Sequence, residues 1–186
     1  MLSQVPNILT MLRIAICPAL VLLLRDSSYD LALILFFVAG ITDGLDGYIA
    51  KKFNCASQLG AILDPIADKV LIASAYIMLA ILQDIPFWLL IVVMFRDLVI
   101  VVGFLVLVAL RNDVKMTPTY VSKINTFLQI ALMVVVLVEK VNWLTIPMFV
   151  DVLIFGVLIT TVVSGVQYVW LWGIKQEKVD NPFPDG

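Results

Sequence analysis

Histidine is missing from this chain of 186 residues, and charge is scarce, with only 14% Asp, Glu, Lys and Arg. Without imidazole there is no histidine general base, no Ser-His triad and no histidine metal site. The two cysteines, Cys17 and Cys55, are far apart and in no metal-like spacing, so a disulfide framework is unsupported. The formal net charge is −2, which gives no broad positive field for nucleic acid. Chemistry here must run on carboxylates, lysine, arginine, hydroxyls and bound metal. Soluble domains are about 45–50% apolar and about 25% charged, whereas 62% of these residues are hydrophobic. Such a chain cannot stay disordered, and it has too few charges to cover itself as a water-soluble globule. Its class is an all-α integral membrane protein.

What the chain has instead is long apolar runs. About 20 apolar residues cross a bilayer core of about 30 Å. Six transmembrane helices are expected, over 8–24, 31–50, 61–82, 87–110, 122–138 and 148–173. The breaks carry turn chemistry, at Arg25-Asp26-Ser27-Ser28, Asn54 to Gln58, Gln83-Asp84-Ile85-Pro86, Arg111-Asn112-Asp113 and Asn142. The runs are continuous rather than alternating, which argues against a β-barrel. The first run lacks a basic leader and a small-residue cleavage site, so a retained helix is expected, kinked at Pro18. The expected organisation is one membrane domain over 1–175 and a polar, loosely held C-terminal tail over 176–186. Lys51, Lys52, Arg111, Lys115, Lys175 and Lys178 fall on the side of the termini, against Arg25 and Lys140 opposite. That asymmetry puts both termini in the cytoplasm.

Four acids stand against this background. Of 14 Asp and Glu residues, Asp43, Asp46, Asp64 and Asp68 share one window of 26 residues. They sit where the second run ends and the third begins, on the expected cytoplasmic side. A charge at membrane depth costs about 2.5–3.5 kcal/mol on insertion scales and is functional by default. Asp43 and Asp46 are three apart on a helix and Asp64 and Asp68 four apart, so each pair shares a face. Four converging carboxylates need a cation. Oxygen-only ligands suit Mg²⁺, Mn²⁺ or Ca²⁺, and four can hold two ions, as in phosphoryl transfer. Gly40, Gly44, Gly47, Ala50, Gly60 and Ala61 beside the acids give either close helix packing or room for a bulky ligand. Asp64-Pro65 could equally open a helix in an ordinary way.

The stretch Asp43-Gly44-Leu45-Asp46-Gly47-Tyr48-Ile49-Ala50-Lys51, then Gly60, Asp64 and Asp68, resembles the signature of the CDP-alcohol phosphatidyltransferases, D-x2-D-G-x2-A-R-x8-G-x3-D-x3-D. Seven of the eight fixed positions match. Lys51 is the departure; it keeps the positive charge but loses planar bidentate phosphate recognition. The resemblance implies displacement of CMP from a CDP-linked lipid by an alcohol. It implies two divalent cations, Mg or Mn, on Asp43, Asp46 and Asp64, with Asp68 completing the site and acting as general base. Gly47, Ala50 and Gly60 would shape the CDP-lipid pocket, with Lys51 near its phosphates. Asn7, Thr10 and Arg13 recur every three residues and resemble the N-x2-T-x2-R opening of phosphatidylglycerophosphate synthases and their relatives. Asn7 and Thr10 are thereby placed at the CDP-lipid. Arg13 could instead be a snorkelling arginine. A homodimer is implied as well.

The acceptor is read from fewer residues. Arg96, Lys123 and Asn125 are its candidate ligands; Arg96 beside Asp97 could also be a structural pair, and Lys123 a snorkelling end. Pro118-Thr119 through Ser122-Lys123, Asn125-Thr126 and Gln129, with Arg96-Asp97, look most like the CMP-forming cardiolipin synthases. Phosphatidylglycerophosphate synthases usually carry two further cations, and a singly charged phosphodiester acceptor needs fewer. The expected reaction is transfer from CDP-diacylglycerol to phosphatidylglycerol at the cytoplasmic face of a bacterial inner membrane. Glycerol 3-phosphate is the alternative acceptor, and an acidic cation channel or transporter is a remote alternative.

Overall fold

The computed structural model describes residues 5–53, 58–110, 119–143 and 147–180, with side chains over 11–42, 67–103, 119–143 and 148–170. Among the described residues it contains six helices and no strand. They are α1 (Val5–Arg25), α2 (Tyr29–Phe53), α3 (Gln58–Ile81), α4 (Phe87–Leu110), α5 (Tyr120–Lys140) and α6 (Pro147–Asp180). One helix falls on each of the six apolar runs. Two stretches, Tyr120–Lys140 and Met148–Trp170, are long and apolar enough to cross a membrane as described. α1 passes through Pro18 as a single helix. α6 continues to Asp180, so the helix includes the first five residues of the expected tail.

Three of the connections end their helix in the same way. Ser27, Gln83 and Asn142 have positive φ, at 55°, 62° and 58°. Around Ser27, the Ser28 N–H donates to the Leu23 carbonyl at 2.9 Å and the Ser27 N–H to Leu24 at 3.0 Å. Asp84 to Leu79 and Gln83 to Ala80 repeat the pair at 2.8 and 3.2 Å, and Trp143 to Val138 and Asn142 to Glu139 repeat it at 3.3 and 3.0 Å. This is the Schellman arrangement, which satisfies carbonyls that a helix end leaves over. α5 begins on an N-cap: the Thr119 hydroxyl accepts from the Ser122 N–H at 3.3 Å.

The chain divides into two compact units. The first comprises residues 1–87 and 133–147. Here α1 packs on α2 and α3, and Leu20, Leu24, Ala32, Ala39, Ala75, Leu79 and Leu137 are wholly buried. The buried alanines let the backbones approach. The second comprises 88–132 and 148–186. Leu89, Val93, Leu132 and Val157 are buried there, together with the polar Arg96, Asn125, Thr161 and Ser164. Large apolar side chains are exposed on every helix, among them Met11, Phe37, Ile77, Phe95, Phe127 and Phe155. A monomer in water rarely shows so much apolar surface.

Candidate active site

The four acids lie on two helices. Asp43 and Asp46 are in the last three turns of α2, and Asp64 and Asp68 in the first three turns of α3. The side chains of Asp43, Asp46 and Asp64 lie outside the described residues, as do those of Asn7, Thr10, Ala50 and Lys51 and the surroundings of Gly47 and Gly60. Among the described side chains no group of three or more acids, cysteines or histidines comes together.

Asp68 is described, and its surroundings are informative. Its Oδ1 accepts a hydrogen bond from Arg13 of α1 at 2.8 Å, closing an ion pair across 55 residues. The Arg13 side chain is 1% exposed and that of Asp68 is 41% exposed. Arg13 therefore does not snorkel. A guanidinium taken out of solvent to this degree costs several kcal/mol and requires an anionic partner. Asp68 supplies that charge while still reaching the surface. One turn further along α1, the Cys17 thiol donates to the Arg13 carbonyl at 3.4 Å.

A second polar group lies in the other unit. Arg96 on α4 donates from NH1 to Asp97 at 2.6 Å. Its NH2 donates to Ser122 of α5 at 2.6 Å and to Ser164 of α6 at 2.7 Å. One guanidinium thus ties three helices. Nearby in sequence, the Asn125 side-chain oxygen accepts from Thr160 at 2.8 Å and from Thr161 at 2.9 Å. Two N–H donors, Arg96 Nε and Asn125 Nδ2, are buried without a hydrogen-bond partner among the described residues. Buried donors of this kind are rare in proteins and costly.

The three expected acceptor ligands do not form one cluster. Arg96 and Asn125 are buried, while Lys123 is exposed, its ammonium 5.6 Å from the ring centroid of Tyr120 on its own helix. Lys123 and Asn125 are two apart on α5 and so point to different faces. Ser164, Thr160 and Thr161 complete the network, and no residue pattern marked them out. An apolar groove of about 830 Å³ opens between α4 and α6, lined by Phe95, Arg96, Val99, Thr161, Val166 and Trp170 among others.

The opposite end of the first unit carries a second ion pair. Asp84 lies in the turn after α3, within the break expected at Gln83-Asp84-Ile85-Pro86. Its side chain is 3% exposed and ion-paired with Lys140, and the Tyr29 hydroxyl donates to it at 3.1 Å. The Lys140 ammonium also lies 5.8 Å from the Tyr29 ring centroid. Three chain segments meet there in a staple.

Comparison with known proteins follows the same residues. A sequence profile of the CDP-alcohol phosphatidyltransferases matches residues 3–169. Cardiolipin synthase (CMP-forming) of Rattus norvegicus is 34% identical over 180 residues, covering 88% of this chain and 60% of the relative. A probable phosphatidylglycerophosphate synthase of Mycobacterium tuberculosis is 34% identical over 177 residues, covering 90% and 81%. The CDP-diacylglycerol–glycerol-3-phosphate 3-phosphatidyltransferase of Bacillus subtilis is 31% identical over 181 residues, covering 89% and 93%. The chain thus spans about 60% of the length of the mammalian cardiolipin synthases that it matches.

Proposed function

This chain belongs to the CDP-alcohol phosphatidyltransferase family, and from that premise we propose that it transfers a phosphatidyl group from CDP-diacylglycerol to phosphatidylglycerol. In this reading the acceptor hydroxyl oxygen attacks the phosphatidyl phosphorus of CDP-diacylglycerol. The new P–O bond forms as the bond to CMP breaks, and CMP leaves with the electron pair. The products are cardiolipin and CMP. Asp68 takes the hydroxyl proton, a role open to a carboxylate that is fixed by Arg13 yet 41% exposed. Asn7, Thr10, Gly47, Ala50, Lys51 and Gly60 bind the CDP-lipid.

The donor set suits hard divalent cations, because it is built of carboxylates alone, in two helix-spaced pairs. Asp43, Asp46 and Asp64, with Asp68, would hold two Mg²⁺ or Mn²⁺. When bound, these ions neutralise the diphosphate and the charge that develops on the departing CMP. The observation that carries the reaction class is the spacing of these four acids at the α2–α3 junction, inside the family match.

For the acceptor, two features of the second unit support a lipid. The orphan donors on Arg96 and Asn125 call for an oxygen-rich partner such as a phosphodiester. The adjoining groove is almost wholly apolar, as an acyl chain requires. Arg96 is already neutralised by Asp97, which suits one negative charge better than two. The second reading is glycerol 3-phosphate as acceptor. It is favoured by relatives of nearly this chain's length that carry that activity in their names.

We place the six helices across a membrane as six spans, with both termini and the acids on the cytoplasmic side. Of the two cations on the far side, Lys140 is held by Asp84, which strengthens the charge asymmetry. A bacterial inner membrane and a homodimer fit this reading. The deciding experiment is CMP release by purified protein given CDP-diacylglycerol, Mn²⁺ and each acceptor in turn. Release with phosphatidylglycerol alone is expected. Release with glycerol 3-phosphate but not phosphatidylglycerol would transfer the proposal to the second reading, and release with neither would end both.

A further inference from the structure

The ion pair between α1 and α3 reaches beyond the residues already assigned. We infer that Arg13 is a positioning residue for Asp68: its buried guanidinium fixes the carboxylate that receives the acceptor proton and offsets part of the negative charge of the acid cluster. The inference rests on the proposed transfer reaction and deepens it.

Three observations carry it. The first is asymmetry of burial, with the Arg13 side chain at 1% and the Asp68 side chain at 41%. A cation that binds a diphosphate from the lipid or from solvent has to present its charge to the ligand. Arg13 is sealed among the helices of its unit and presents its charge to the carboxylate at 2.8 Å. The second is rigidity. Arg13 sits mid-helix in α1, which packs on both α2 and α3, and Ala67, next to Asp68, is wholly buried. The carboxylate is therefore held from a fixed wall, and its proton-accepting geometry depends on that hold. A displacement of about 1 Å in such a group can cost about 100-fold in rate. The third is charge. Four acids share the α2–α3 junction, and Arg13 contributes the one buried cation described in this unit. Removing it makes the cluster more negative, so divalent ions bind at least as well while the proton acceptor loses its orientation. An arginine that only stabilised the fold would not separate these two effects.

The test compares Arg13→Met with the wild type in detergent micelles, at matched amounts of folded protein, using CDP-diacylglycerol, Mn²⁺ and whichever acceptor the wild type accepts. The expected result is a fall in kcat of about 100-fold. The KM for CDP-diacylglycerol should stay within about threefold, and the half-activating Mn²⁺ concentration should be unchanged or lower. Arg13→Lys keeps the charge but loses the planar fork. It should recover part of the lost kcat, and it decides the matter alone if Arg13→Met does not fold. The inference is overturned if kcat of Arg13→Met, or of Arg13→Lys where it stands alone, stays within about threefold of wild type. It is also overturned if the loss appears as a raised KM or a raised Mn²⁺ requirement, the signature of a residue that touches diphosphate or metal. Failure of the underlying reaction reads differently, as no CMP release by the wild type with any acceptor.

Discussion

Two ion pairs are described in the first unit, and they are built in opposite senses. In one, the cation is buried and the carboxylate faces outward: the side chains of Arg13 and Asp68 are 1% and 41% exposed. In the other, the carboxylate is buried and the cation faces outward: Asp84 is 3% exposed and Lys140 43%. About 20 Å of α3 separates Asp68 from the turn that carries Asp84, at 1.5 Å per residue. The partner left at the surface tells what each pair can do. An outward carboxylate with a fixed backing can take a proton or meet a cation. A buried carboxylate under a lysine and a tyrosine hydroxyl can only hold chain segments together. Both acids are aspartates held by a single cation, and the orientation of the pair is what distinguishes them.

The largest effect should come from the outward carboxylate. Asp68→Asn keeps the shape and an oxygen for Arg13 but cannot accept the proton. Its CMP release should fall by about 10³-fold, within the range for loss of a general base. Steady-state CMP formation checks this. Retained turnover would erase the difference between the two pairs.

The next effect is on stability, and it tests the sense of the second pair. Lys140→Met leaves a buried carboxylate with only the Tyr29 hydroxyl to serve it. That should cost about 2–3 kcal/mol, near the low end for a broken buried pair. Asp84→Asn leaves instead a half-exposed ammonium that water can solvate, and should cost about 1 kcal/mol. Both variants should keep the wild-type kcat per folded molecule. Denaturant titration in mixed micelles measures the two costs. The opposite ranking would mean that Lys140, not Asp84, is the buried charge of the staple.

These pairs also mark where the sequence is readable and where it is not. The breaks around Ser27, Gln83 and Asn142 are legible because positive-φ helix ends recruit polar residues, and polar residues are conspicuous between apolar runs. The acids at 43, 46, 64 and 68 stand out in the sequence because charge beside long apolar runs is costly and their spacing is helical. Arg13 is visible as a charge, but its partner lies 55 residues away, and only the packing of α1 on α3 reveals which acid it serves. Asp84 is legible as a loop acid, but its partners Tyr29 and Lys140 are 55 and 56 residues away in sequence, and only the packing brings them together. Ser164, Thr160 and Thr161 leave no mark at all. Hydroxyls in apolar helices commonly bond their own backbone, as Thr160 does to Gly156 at 2.8 Å. Their second partners, Arg96 and Asn125, come from other helices.

The smallest effect concerns the turn that presents Asp84. Gln83 has a φ of 62°, in a region that costs an ordinary L-residue roughly 1–2 kcal/mol. Glycine removes that strain but gives up about 0.5–1 kcal/mol of chain entropy on folding. Gln83→Gly should therefore stabilise the protein by about 0.5 kcal/mol, the difference between these terms. Asn142→Gly should gain less, since asparagine adopts this conformation more readily. The same denaturant titration reads both. The sign for Gln83 bears directly on the staple, because the Asp84 N–H is fixed to Leu79 at 2.8 Å by that turn. If the turn alone places Asp84, relaxing its strain leaves the cost of Lys140→Met unchanged, and the two substitutions add. If the ion pair instead holds the turn in its strained conformation, losing Lys140 releases that strain only where Gln83 is present, so Gln83→Gly raises the cost of losing Lys140 and the double variant is less stable than the sum. Additivity is the expected outcome, because the backbone bonds of the turn recur at Ser27, where no described ion pair stands over the turn.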